Sequence, residues 1–332
     1  MYPQLNGDVK GNYYSTPQLN QVGKSQAVTR WIDDFECCVT GIDIRPIGDK
    51  DSDYDFNDVL FAVSSSPIPD AIRPGVVIDP VDVTVASESI YGTLAYEDLW
   101  PSQGDYDMND FVVNYTYTFG KNEANEIVGV RLEFEPIAKG AAGSTQIGFG
   151  IELPLNESDV SSVEGATLER DNENATFIIW ENVSNIDKFS GAFINTEKGK
   201  GFVSTDKRTV VITFNSPVND LSVMKFNPFI FVGSRSHEIH LPDYKPTAKM
   251  DFNLLHTGKD CSDRSTGIYY RMEDMYSWAL DFPRATKDSP AWRYPKERSS
   301  IISAYPGYAD WIADKNNTSW YEEENSNTEE IY

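Results

Sequence analysis

Apolar residues recur at every second position along most of this chain. The runs are Val59, Phe61 and Val63; Val113, Tyr115, Tyr117 and Phe119; Val128, Val130, Leu132 and Phe134; Ile147, Phe149, Ile151 and Leu153; and Val210, Ile212 and Phe214. Period-two alternation places one face of a strand in a core and the other in water. Turn-rich pieces at 121–126, 139–144 and 197–201 separate the runs at intervals typical of antiparallel sheets. The expected fold is therefore all-β, with antiparallel β-sandwich architecture.

At 332 residues the chain is long enough for two cores. Residues 64–80 (SSSPIPDAIRPGVVIDP) are rich in proline, which removes ladder donors and favours extended backbone. This divides the chain into an N-terminal β module (1–66), a linker (67–82) and a main sandwich domain (83–321). From about Pro242 the alternation gives way to Tyr, Trp, Pro and charge, with short helices expected near 297–305 and 308–313. That end is read as an irregular, aromatic-rich cap wrapping the sandwich. Residues 322–332, acidic and polar, are read as a flexible tail.

Acidic residues outnumber basic ones 52 to 28, a net charge of −24. A field of that sign repels phosphate backbones and attracts cations, so nucleic acid is excluded as a partner. Cys37 and Cys38 are neighbours and pair poorly with each other, so with Cys261 the chain allows at most one long-range disulfide and offers no zinc-type spacing. No apolar run reaches about 18 residues, and the first residues, MYPQLNGDVKG, hold neither a basic n-region nor an apolar h-region; no membrane span or export leader is expected in this stretch.

An internal repeat carries the chemistry. Asp53-Tyr-Asp-Phe-Asn-Asp58 runs into Val59-Leu-Phe61, and Asp105-Tyr-Asp-Met-Asn-Asp110 runs into Phe111-Val-Val113. Calcium takes six to eight hard oxygen ligands, and side chains at positions 1, 3 and 5 of a tight loop can converge on one ion. Asp53, Asp55 and Asn57 have that spacing, as do Asp105, Asp107 and Asn109. An EF-hand is excluded, because position 6 lacks Gly and position 12 is Ser64 or Thr116 instead of Glu. Further oxygens are expected from Glu97 and Asp98 upstream of the second loop, and from Glu36, Asp43, Asp49 or Asp51 upstream of the first. Asp58 and Asp110 either ligate or bond backbone amides. The alternative is a pair of Asx-turns without any ion.

The run from Gly92 to Val113, GTLAYEDLWPSQGDYDMNDFVV, resembles the opening of the LruC domain of exported proteins and lipoproteins of Gram-negative bacteria. The similarity continues through Ile147-Gly-Phe-Gly-Ile-Glu-Leu-Pro154, Glu238-Ile-His-Leu-Pro-Asp-Tyr-Lys-Pro-Thr247 and Trp278-Ala-Leu-Asp-Phe-Pro283, covering about 83 to 321. The N-terminal piece ending at Asp55-Phe-Asn-Asp-Val-Leu-Phe61 is similar to part of a second Asp-rich bacterial extracellular domain of unknown function. The resemblance implies export to the outer-membrane surface or beyond, often with a lipid anchor that this chain does not include, a β-rich fold, and calcium-binding loops. It implies no reaction.

Three classes of function remain. For an enzyme, His237-Glu-Ile-His240 lacks the helical i, i+4 spacing of a zinc motif, and no nucleophile elbow, phosphate loop or dinucleotide fingerprint occurs. A glycan-processing role would rest on carboxylate pairs such as Glu97 and Asp98, which arise freely among 52 acidic residues. For a calcium-dependent carbohydrate-binding module, Trp180, Trp292, Trp311 and Trp320 are the candidate sugar platforms, weighed against core and cap packing. The leading expectation is a non-enzymatic surface protein with structural calcium, in adhesion or surface assembly, whose partner is a glycan or another surface protein.

Overall fold

The computed structural model describes residues 27–32, 37–42, 59–63, 89–122, 126–218 and 225–332. The backbone falls into two compact units, residues 1–79 and 80–332. In the first, β1 (Ala27–Ile32), β2 (Cys37–Ile42) and β3 (Val59–Val63) form an antiparallel sheet in that order. The linker and the first acidic loop, with Asp53, Asp55, Asn57 and Asp58, lie outside the described residues.

The second unit is built from β4 (Ser89–Tyr96), β5 (Phe111–Lys121), β6 (Ile127–Ala138), β7 (Ile147–Leu153), β8 (Val160–Glu164), β9 (Thr167–Glu169), β10 (Ala175–Trp180), β11 (Arg208–Val218), β12 (Asn227–Val232), β13 (Glu238–His240) and β14 (Ala279–Arg284). Two antiparallel sheets result, with strand orders β14-β4-β5-β6-β11-β8 and β13-β12-β7-β10-β9. The fold is all-β, a sandwich. Its inner faces meet through the alternating residues: Phe111, Phe134 and Trp180 surround Phe149 with ring centroids 5.6, 5.1 and 6.0 Å away. Burying such rings is the main source of stability here. Among the described residues no helix is long and apolar enough to cross a membrane.

β7 is buried along its whole length instead of alternating. On its outer face Gly148 and Gly150 lie beneath Phe231 and Phe229, and an added Cβ would stand 2.0 and 2.7 Å from those rings. Arg235 covers both rings, its guanidinium 4.9 Å from the Phe229 centroid and 5.4 Å from that of Phe231. The same guanidinium bonds Glu169 and the fully buried Glu238. Glu238 also accepts from the Thr247 amide at 2.8 Å and lies 2.8 Å from His240 Nε2. Both histidines of the His237–His240 pair therefore have protein partners: the other ring nitrogen of His240 meets Asn227 Oδ1 at 2.7 Å, and His237 Nε2 meets the Trp100 carbonyl at 2.7 Å.

The C-terminal region differs from its sequence reading in two ways. Residues read as irregular cap include β14, which pairs with β4 and puts Leu280 and Phe282 on the outer face of the six-stranded sheet. There Phe282 stacks on Trp292 at 3.8 Å and meets Trp320 at 5.8 Å. The short helices α1 (Ile301–Ala304) and α2 (Gly307–Ala313) complete this layer. Residues 322–332 are not a loose tail: the Lys296 amide donates to the Glu330 carbonyl (2.9 Å), the Tyr332 amide to the Tyr294 carbonyl (3.0 Å), and Ile331 is buried. Polar composition misled, because burial of Ile331 and stacking of Tyr332 on Tyr294 at 5.7 Å help dock the segment. Trp180, Trp292 and Trp320 are likewise buried in packing, and Trp311 lies under Lys315 at 3.4 Å.

Ile331→Ala should destabilise the chain by about 2–5 kcal/mol; a urea midpoint unchanged from wild type would show that this end contributes nothing to the core. The Glu238 network makes a second prediction. Burial alone would raise the Glu238 carboxyl, but His240, Arg235 and Thr247 outweigh it and hold the pKa at about 2. A folded value below the unfolded one near 4.3 gives stability that is present above about 4.3 and lost as the pH falls through about 2. Urea midpoints of wild type should fall over that window more than those of Glu238→Gln, which starts from lower stability at neutral pH.

Candidate metal centre

β4 and β5 are joined by a long loop that closes where Tyr96 pairs with Phe111. Two of its non-glycine residues are left-handed, Tyr106 at φ 62° and Met108 at φ 54°. Such backbone costs about 1 kcal/mol or more per residue and persists only when the surroundings enforce it. Here the enforcement is burial: the Tyr106 and Met108 side chains are 2% and 0% exposed. Tyr106 stacks on Tyr276 at 5.5 Å and shares a 2.9 Å hydrogen bond with the Tyr308 hydroxyl. With the intervening side chains in the core, Asp105, Asp107 and Asn109 are left to the opposite side of the loop.

The carboxylates of Glu97, Asp105 and Asp107 each place an oxygen within 4.8 Å of the others. Glu97 and Asp107 are buried and Asp105 is exposed, so the cluster opens on the Asp105 side. One oxygen of each buried group is held by a main-chain amide: Met108 N–H donates to Glu97 Oε1 (2.5 Å) and Arg298 N–H to Asp107 Oδ2 (2.7 Å). Asn109 donates from Nδ2 to the Pro295 carbonyl at 3.1 Å. That leaves Glu97 Oε2, Asp107 Oδ1 and Asn109 Oδ1 buried with no hydrogen-bond partner. Small residues keep the space clear. A Cβ at Gly104 would come within 2.8 Å of Glu97 Oε2, and one at Gly140 within 1.7 Å of Asn109 Oδ1.

Asp98 and Asp110 form a separate pair. The Asp98 amide donates to Asp110 Oδ2 at 2.8 Å. Burial, then the charge of Asp98, push the Asp110 carboxyl up. This pair ties the end of β4 to the start of β5.

The electrostatics of the cluster are unfavourable as it stands. Burial, reinforced by Asp110 and Asp107, raises the Glu97 pKa well above its usual range, and burial with the charge of Asp105 raises Asp107 to about 7. Among the described residues no Lys or Arg forms an ion pair with Glu97, Asp98, Asp105, Asp107 or Asp110. Buried carboxylates without a counter-charge are costly. An all-oxygen donor set of this kind suits a hard cation and offers nothing to a soft one.

Of the residues expected from sequence, the structure brings Glu97, Asp105 and Asp107 together, leaves Asn109 Oδ1 buried and bare two positions along from Asp107, and sets Asp98 and Asp110 on each other. Sequence reasoning missed Pro295 and Arg298, whose contributions are main-chain groups and leave no signature in the residue types.

The family model for "Domain of unknown function (DUF4842)" matches residues 125–321. No curated protein matches the chain. A crystal structure of a Bacteroides ovatus protein assigned as a lipoprotein superposes with a TM-score of 0.58 at 17% identity, covering 74% of this chain and 76% of that one.

The clearance around Asn109 can be tested without any ligand. Gly140→Ala should cost about 1–3 kcal/mol, because its methyl group collides with Asn109 Oδ1, whereas Gly143→Ala, with nothing nearer than 3.6 Å, should leave the melting temperature within a degree or two of wild type. Equal effects of the two changes would remove Asn109 from the argument.

Proposed function

This chain belongs to the family of the domain of unknown function DUF4842, and on that footing we propose that it is a non-enzymatic protein of the bacterial cell surface whose sandwich is held by a calcium ion in the β4–β5 loop. The observation that carries the reading is the set of buried, unpartnered oxygens on Glu97, Asp107 and Asn109, beside the exposed carboxylate of Asp105. Three carboxylates around one point, two of them with raised pKa values, are what a divalent cation would stabilise.

The ion's task in this reading is structural. Its ligands sit between β4 and β5, and Asn109 and Asp107 also bond Pro295 and Arg298 of the C-terminal layer, so the cation would fasten that layer to the sandwich. The extracellular placement draws on the LruC-like motifs and on the lipoprotein whose fold this chain shares. Outside the cell, millimolar calcium suits a site of modest affinity. Adhesion or surface assembly, with a glycan or surface protein as partner, is the role we assign. The carbohydrate-module alternative loses three of its four platforms, since Trp180, Trp292 and Trp320 are buried.

Metal-stripped protein should melt higher in calcium than in chelator. At about a hundredfold excess over Kd the gain is roughly 2.7 kcal/mol, a shift of a few degrees. Magnesium should fail to reproduce it, and Asp107→Ala should abolish it. A wild-type melting temperature indifferent to calcium would mean that the loop is an Asx-turn scaffold.

A further inference from the structure

Segments 193–198 and 296–299 enclose a cavity of about 300 Å³, at the lower end of the range for small-molecule sites. It is lined by Phe193, Thr196, Lys198, Lys296, Glu297 and Arg298 among others. Three basic residues are thereby gathered in one place on a chain whose net charge is −24.

The wall is fixed by its hydrogen bonds. Lys296 N–H donates to the Glu330 carbonyl (2.9 Å), Glu297 N–H to the Thr196 carbonyl (3.0 Å), and Ser299 N–H to the Lys296 carbonyl (2.9 Å). On the other side the buried Asn195 donates from Nδ2 to the Ile137 and Val203 carbonyls and accepts from the Val203 amide, each within 2.8 Å. A wall already ordered spares a ligand the cost of ordering it.

Its charges are only partly committed. Lys198 pairs with Glu329, and Glu197, which also lines the cavity, pairs with Lys200. Among the described residues neither Lys296 nor Arg298 forms an ion pair. An ammonium and a guanidinium suit a carboxylate, which the Arg fork can bind in bidentate fashion. Glu297 Oε2 accepts from the Thr196 hydroxyl at 3.3 Å, so the same wall presents an acceptor for hydroxyl groups. That negative charge also opposes a dianion such as a phosphate monoester. Phe193, half-buried, adds an apolar surface. One carboxylate, several hydroxyls and an apolar ring face are together the chemistry of a sugar acid.

We infer that this cavity binds a uronic-acid unit of a glycan, with Lys296 and Arg298 on its carboxylate and Glu297 on its hydroxyls. The inference rests on the glycan-partner reading above and deepens it, and it is independent of whether the acidic loop holds calcium.

Titrations followed by amide NMR test this, with glucuronate, glucose, acetate and glucose 6-phosphate as probes. The chains compared are wild type, Lys296→Gln, Arg298→Gln and Lys315→Gln; Lys315 lies over Trp311, outside the cavity lining, so its change removes the same charge elsewhere. Glucuronate should shift the amides of 296–299 and bind about tenfold or more tightly than the other three probes. Lys296→Gln and Arg298→Gln should each weaken it about tenfold, as loss of a charged hydrogen-bond partner does, and Lys315→Gln less than about twofold. Acetate bound as tightly as glucuronate would leave a carboxylate site with no use for a sugar, and glucose bound as tightly would take Lys296 and Arg298 out of it. Equal losses in all three variants would reduce the effect to the general field. Each of these results, or no shift with any probe, overturns the inference. Retention of the wild-type chain on immobilised acidic and neutral bacterial polysaccharides separates it from the wider reading: retention on neutral ones alone overturns the inference and keeps a glycan partner, and retention on none overturns both. The dispersed amide spectrum of each variant confirms that it is folded.

Discussion

Desolvation of carboxylates at the β4–β5 loop is the constraint around which the larger unit is arranged. Glu97 and Asp107 are almost wholly removed from water, and each keeps one oxygen on a main-chain amide and one on nothing. A fold does not hold such groups without compensation. The left-handed Tyr106 and Met108, the cleared space at Gly104 and Gly140, and the aromatic stack of Tyr106 on Tyr276 all serve to hold those oxygens in place. Another buried carboxylate system, around Glu238, makes an instructive contrast. It has Arg235, Thr247 and His240 around it and its pKa falls; Glu97 has no such partner and its pKa rises. Both sites are buried, and what separates them is the counter-charge.

Much of the sandwich is legible in the residues because its inner faces obey period two. Val113, Tyr115, Tyr117 and Phe119 of β5, and Ile147, Phe149, Ile151 and Leu153 of β7, appear in the core as the alternation requires. β14 was hidden for a physical reason: its apolar residues, Leu280 and Phe282, face the outer layer, while Asp281 occupies the inner face at a sheet edge, so the pattern reads as irregular. Pro283 fits because an edge strand needs no donor on its free side. The docked C-terminus was misread since composition averages over a segment, whereas burial is decided by Ile331 and Tyr332 individually.

The candidate site divides along the same line. Asp105, Asp107 and Asn109 are local in sequence, and their spacing announces a shared side of a loop. Glu97 and Asp98 are adjacent and chemically alike, so only the structure separates the one that joins the cluster from the one that pairs with Asp110. The parts furthest from view are Pro295 and Arg298, which act through a carbonyl and an amide that any residue carries.

The sequence separation of those last contacts has a kinetic meaning. Asp107 and Arg298 are 191 positions apart, and Asn109 and Pro295 are 186 apart. Closing loops of that length is entropically expensive and comes late in folding. A chain emerging from its N-terminus presents the acidic loop well before the segment that covers it. The loop would therefore spend its first moments as an open, repulsive hairpin tip, and would become a finished cavity only when the segment around Pro295 and Arg298 arrives. Docking of that distant segment, and not formation of the β4–β5 hairpin, is the event that completes the site.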